Sequence, residues 1–232
     1  MKNIKDIEVK QDLAPEETTE FSFDVEDFDP ATAYLELPEE LDKKVVTYIE
    51  REVRSSYEYR NYINYLKTEL DMTRCSLLPQ IDVNNVNVSL EFHHYPMNLF
   101  EIVEAVGKKM ISDAGEGKSV SCFDIAQKVV EEHYKNNIGL VPLTKSLHEM
   151  AHSRAIIIPM SKVYGNYKNF MIRYGKNIDK DIQDRVTEAE MNSESDDAAL
   201  YNKSKLEKNI SQYNVTYKKP GDDGSDSEGV IA

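Results

Sequence analysis

VNVSLEFHHYP, residues 86–96, and GLVPLTKSLHEMAHSR, residues 139–154, are the two stretches on which the fold turns. In the first, Val86, Val88, Leu90 and Phe92 alternate with Asn87, Ser89, Glu91 and His93. A period of two puts successive side chains on opposite faces, so 86–93 reads as a strand with one apolar and one polar face. In the second, 139–144 reads as a short strand or extended segment and 145–154 as a helix. His148 and His152 stand four residues apart, which sets both imidazoles on one helical face, about 6 Å apart at Cβ. That is a workable bite for a divalent metal. A third ligand has to come from elsewhere, and the end of the strand offers one. Adjacent strand residues point to opposite sides, so one of His93 and His94 can ligate while the other faces a substrate.

Upstream, LPEE at 37–40 has the marks of a helix start, with Pro38 in the first turn and two glutamates at the positive end of the dipole. Leu41, Val45, Ile49 and Val53 recur every fourth residue, and Tyr59, Ile63, Leu66 and Leu70 extend the stripe with a small drift. The spacing predicts one helix of roughly 30 residues ending near Asp71. Tyr57, Tyr59, Tyr62 and Tyr65 then read as packing surface in preference to an aromatic platform for nucleic acid. Between the two diagnostic stretches, Asn98 caps a helix over 99–111, Gly115 and Gly117 break it, and Ser121 caps a second helix over 122–135. Downstream, 155–158 reads as a short buried strand, and an amphipathic helix is expected from Ser161 to Tyr174 and Gly175.

The chain has 232 residues and a net charge of −14, unevenly spread. Residues 1–40 hold 13 acids against 3 bases, and 187–232 hold 10 against 5, whereas 41–186 hold 19 against 20. A near-neutral middle leaves a nucleic-acid partner open, which a uniformly acidic domain would not. The expected organisation is an acidic disordered tail at 1–36, one domain at 37–186, and an acidic, mostly disordered tail at 187–232. Within the first tail, EFSFDVEDFD at 20–29 alternates aromatics with acids, the pattern of a docking segment that orders on a protein partner. Two cysteines, Cys75 and Cys122, make neither a disulfide framework nor a CxxC zinc site. No apolar run approaches the roughly 18 residues of a membrane span, and the first residues lack the apolar stretch of a secretory signal. The expectation is a cytoplasmic protein (the host cytoplasm if phage-encoded) with no membrane contact, in which the N-x-S/T triplets at Asn87, Asn202, Asn209 and Asn214 are accidental.

LEFHHYP at 90–96 and LVPLTKSLHEMAH at 140–152, in the order strand-HH, extended segment, helix-HxxxH, resemble the HNH endonucleases. They are closest to those with an E-x-H-H strand, such as colicin nuclease domains, and such sequences also occur among proteins of large bacteriophages. The resemblance implies an α+β, mostly helical fold: a small ββα-metal core with a long N-terminal helix and an inserted helical hairpin. It implies one divalent metal ion, Zn²⁺, Mg²⁺ or Mn²⁺, on His93, His148 and His152. It makes His94 the general base and Glu91 a supporting carboxylate. The cation would polarise the scissile phosphate of DNA while a neutral imidazole takes the proton of water. The chain departs from the family in two places. Gly139 stands where the motif has an Asn, with Asn136 and Asn137 just upstream, and 44 residues separate His94 from Gly139. The expectation is thus a metal-dependent endonuclease acting on DNA. The alternative is a non-catalytic phage-type interaction or regulatory protein on the same fold, binding a protein through its acidic tails and long helix.

The remaining motifs carry less. AGEGKS at 114–119 ends like a phosphate-binding loop, but Ser112 replaces its first glycine and a helix precedes it in place of a strand. Cys122 opens a helix whose dipole could lower its pKa, without a histidine placed to partner it. His133 is expected on a solvated helix face. Lys145, Arg154, Lys162, Lys168 and Arg173 read as ordinary charged surface or as contacts to phosphates.

Overall fold

The computed structural model describes residues 41–84, 88–115 and 119–211. The fold is α+β and mostly helical, with one small two-stranded antiparallel sheet. Strand β1, Leu90–His94, pairs with β2, Leu140–Thr144, with Glu91 opposite Leu143 and His93 opposite Val141. The expected strand is shorter than its alternating pattern, and 85–87 lie outside the described residues. Two helices are inserted between the strands. One is Leu99–Ala114, with a capping box between Asn98 and Glu101. The other is Cys122–Tyr134, with a capping box between Ser121 and Asp124. In each box two of the orphan amides of a helix start are satisfied reciprocally. A helix of eight residues, Lys145–His152, follows β2 directly.

The long N-terminal helix of the sequence reading is two helices, α1 (Lys43–Ser55) and α2 (Tyr57–Thr68). The remaining helices are labelled in chain order α3 (Leu99–Ala114), α4 (Cys122–Tyr134) and α5 (Lys145–His152). The break is at Ser56, which is extended. Its hydroxyl donates to Val53 O (2.8 Å) and accepts from Tyr59 N (3.1 Å), closing one helix and opening the next. Serine competes with the helical backbone in this way, and the periodic stripe ran through it unmarked. Val45, Val46, Ile49 and Val53 of α1 pack with α3 and α4 in the larger core. Tyr62 and Leu66 of α2 cover Phe92 and Leu140 on one face of the sheet, and Val141 and Leu143 on the other face join Leu147, Ile156 and Ile158.

Three expectations about the C-terminal third need correction. Residues 155–158 are not a strand, although Ile156 and Ile158 are buried. The backbone of Ile157 pairs with a side chain where a neighbouring strand would pair: Asn202 accepts from its N–H (2.9 Å) and donates to its carbonyl (2.6 Å). The helix expected from Ser161 begins later, as α6 (Tyr167–Tyr174), after a 3₁₀ turn and a bridge of Tyr164 to Leu140. The domain boundary expected at 187 falls inside α7 (Lys180–Asn192), and α8 (Asp196–Ser211) follows. Asn202 and Asn209 of α8 are buried, so 187–211 is part of the folded body. The acidic tail at 1–36, the helix start at 37–40 and residues 212–232 lie outside the described residues. Among the described residues, no helix is long and apolar enough to cross a membrane.

Candidate metal centre

β1 and α5 bring His93, His148 and His152 together, each offering a ring nitrogen, all within 4.8 Å of one another. The ring centroids are 4.5–5.0 Å apart, and Nε2 of His148 and of His152 lie 3.2 Å apart. Two nitrogens bound at about 2.05 Å with a tetrahedral angle sit about 3.3 Å apart. The helical pair already has that spacing. Glu91, on the same strand face as His93, accepts a hydrogen bond from His148 Nδ1. In neutral His148 the other nitrogen, Nε2, is therefore a lone pair aimed at the cluster. A carboxylate behind a histidine is the usual support for a metal ligand.

The donor set fits a cation on a second ground. His93 is buried and its Nδ1 has no hydrogen-bond partner. Such an atom carries an uncompensated desolvation cost. Burial, with His148 and His152 close by, pushes His93 down to about 3. His152 is lowered by the same causes, burial first and His148 second. The hydrogen bond from His148 holds the Glu91 carboxyl below its ordinary value. His93 and His152 are thus held toward the neutral, ligating form, with the Glu91 carboxylate beside the cluster.

His94 is not in this cluster. Strand alternation turns it to the opposite face, where it is buried with its Nε2 3.0 Å from Nε2 of His133. Nδ1 of His133 lies 2.8 Å from the carbonyl of Val129 and must donate to it. With both rings neutral, His133 Nε2 accepts and His94 Nε2 donates. Tyr59 stacks on His94 and meets His133 edge-on. The base assigned to His94 from the resemblance therefore has no access to a substrate at the three-histidine cluster. His133 itself corrects the expectation of a solvated residue, for its side chain is wholly buried. The signal was present: Ile125, Val129 and His133 form an i, i+4, i+8 stripe on the buried face of α4.

Gly139 cannot take the place of the missing Asn. A Cβ there would meet the Tyr95 carbonyl oxygen at 2.0 Å, and the residue has no positive φ to account for it. Asn137, just upstream, donates to Glu132 (2.7 Å), and the Asn136 carbonyl accepts from Asn166 N–H (2.7 Å). Glu132, which sequence reading passed over, is fully buried. Arg173 (2.9 Å) and Tyr174 (3.0 Å) also donate to it, tying α4 to α6. Arg173 is thereby drawn into an ion pair, and Lys168 lies 3.7 Å from Glu190. Burial raises the Cys122 thiol, opposing any lowering by the helix dipole. Residues 116–118 of the glycine-rich stretch lie outside the described residues, and a helix precedes them.

No curated protein matches the chain, and no solved structure matches it. One family model does, over residues 1–219, described as the bacteriophage G278-like virion protein. That match overturns the expectation of an HNH-type endonuclease hydrolysing DNA, which rested on some two dozen residues around the histidines, whereas the family covers both diagnostic stretches and both flanks. The chain belongs to the bacteriophage G278-like virion protein family.

Proposed function

We propose that the chain is a non-catalytic constituent of the phage particle, a folded module stapled by one divalent cation on His93, His148 and His152. The observation that carries this reading is the convergence of three imidazoles from two elements, with His94 turned away from them. A nitrogen-only set of three suits Zn²⁺ better than Mg²⁺ or Ca²⁺, which prefer oxygen. The staple would join β1 to α5 where the fold is thin. A two-stranded sheet is marginal by itself, and α5 has only two turns. The cation would hold its ligands and order the strand against the helix. Glu91, the carboxylate on the strand face of the cluster, is engaged by His148.

Its partners in this reading are other proteins of the particle. The virion family supports that setting, and the acidic 1–40 segment supplies charge for docking. The test is protein mass spectrometry on particles purified through a density gradient, together with zinc analysis of the chain purified without chelator. The expected result is the chain in the particle at a fixed ratio to the major shell protein, and close to one zinc per purified chain. A chain found in infected cells and absent from particles would overturn the structural role, and a metal-free chain would overturn the staple.

A further inference from the structure

The three histidines form a graded rim. His93 is buried, His148 is partly buried and His152 is exposed. A cation shared by them has protein on the His93 side and solvent on the His152 side. Among the described residues, the group within 4.8 Å is these three, and no fourth His, Cys, Asp or Glu joins it. Zinc takes four ligands in a tetrahedron, and a site with three protein ligands keeps its fourth position for an outside group. The surrounding charges decide which group fits. Bound imidazoles are neutral, so they leave both charges of the cation uncompensated. Glu91 offsets one of them from behind His148. Glu50 and Arg54 of α1 are close enough for both charges to act on His152, but they are paired with each other and cancel. Lys145 adds a positive charge: it is exposed, stands three residues before His148 on the same stripe of α5, and acts on Glu91.

We propose that the fourth position of the cation on His93, His148 and His152 opens to solvent on the His152 side and binds a carboxylate, that of a small anion or that of an acidic side chain on a neighbouring protein. The proposal rests on the cation staple and gives it a second task, joining the chain to a ligand. A carboxylate oxygen is an ordinary fourth ligand for zinc, at about 2.0–2.2 Å. Its single charge matches the one that Glu91 leaves uncompensated, and Lys145 favours its approach. Phosphate fits less well. Its recognition draws on a guanidinium fork, and the fork of Arg54 is turned to Glu50 through both Nε (3.2 Å) and one terminal nitrogen (2.9 Å).

The test loads the full chain with Co²⁺, whose visible absorption reports its ligands, and titrates it with acetate, with acetamide as the neutral counterpart and with inorganic phosphate. The expected result is close to one cobalt per chain and bands that change saturably with acetate and stay unmoved by acetamide. Lys145→Gln should weaken acetate by about two- to fivefold with the cobalt content unchanged. Hexaglutamate offers the same group on a peptide. A matching change with it assigns the site to a protein side chain, and a change with acetate alone assigns it to small carboxylates. A chain that takes up no cobalt overturns the staple and this site with it. A chain that takes up one cobalt and keeps its bands throughout the acetate series overturns this site alone. An equal response to acetamide, or a stronger one to phosphate, does the same.

Discussion

His93 and His94 are neighbours in sequence and differ in everything else that matters chemically. His93 lies on the strand face shared with Glu91 and looks toward α5, where two more histidines stand within reach. His94 lies on the face shared with Phe92 and looks into the helical body, where it is paired with His133 between two tyrosines. Both are buried, and burial lowers both. The difference lies in what each lone pair meets. At His94 a donor–acceptor pair closes the account within the protein. At His93 a buried nitrogen has no partner, and two further imidazoles aim at the same space. An HH pair on a strand therefore divides between two environments, and one face alone can form a metal site.

The largest expected effect breaks the first of these faces. A ligand present at 1,000 times its dissociation constant adds about 4 kcal/mol to stability. Stripping the cation with a chelator should lower the unfolding free energy read from urea titration by an amount of that order, with a matching fall in midpoint, and His148→Ala should make the untreated protein resemble the stripped one. A midpoint unmoved by chelator would leave the staple without support. The second face should fail differently. His94→Ala removes a buried ring and leaves His133 Nε2 unpaired, a loss of about 3 kcal/mol, with zinc content per folded chain unchanged. Zinc lost from a folded His94→Ala protein would reverse the assignment of the two faces.

These contrasts also show how far the residues could be read. The alternation in LEFHH and the spacing of His148 and His152 were enough to place three imidazoles on facing surfaces. Both are local geometry, and periodicity reports local geometry well. Burial of His133 was legible too, had its i+4 relation to Val129 been weighed above its acidic neighbours. The break at Ser56 was not, since one hydroxyl replaced a helical bond without disturbing the apolar stripe. Nor was the pairing of Asn202 with Ile157, a contact across 45 positions that turned an expected strand into an extended segment and an expected tail into a helix. Gly139 shows a third limit. Its cause is the approach of the Tyr95 backbone, which no motif position encodes. The functional error came from elsewhere: a few residues shared with a nuclease motif outweighed the flanks, which the family match covers.

A finer test sharpens the metal-side face alone. Glu91→Gln keeps the size of the side chain and removes the charge that holds His148 in the donating tautomer at Nδ1. Loss of a supporting carboxylate typically costs 10–100-fold in metal affinity, or about 1.4–2.7 kcal/mol. Competition with a chromophoric zinc chelator should show this weakening, with the chelated protein nearly as stable as chelated wild type. An unchanged affinity would mean that Glu91 does not orient its histidine.

The smallest effect per step is in pH, and it concerns the buried face. His133 is pushed down to about 4, by burial first and against the opposing hydrogen bond to Val129 O, and His94 is lowered well below its ordinary range. In the unfolded chain both take up a proton near 6.5. Between about 6.5 and 4 the unfolded state thus binds more protons than the native state, so stability falls as pH falls. The stabilising contribution is complete above 6.5. Each histidine can remove at most about 1.4 kcal/mol per pH unit inside that window. His93 follows the same direction when no cation holds it, so the measurement should be made on chelated His93→Ala protein. Urea midpoints between pH 7.5 and 5 should then decline below 6.5, and His133→Gln should make the decline shallower by the share of one proton. A flat profile in that background would mean that the His94–His133 pair takes up protons as easily folded as unfolded, and that the two faces of β1 are less different than their contacts imply.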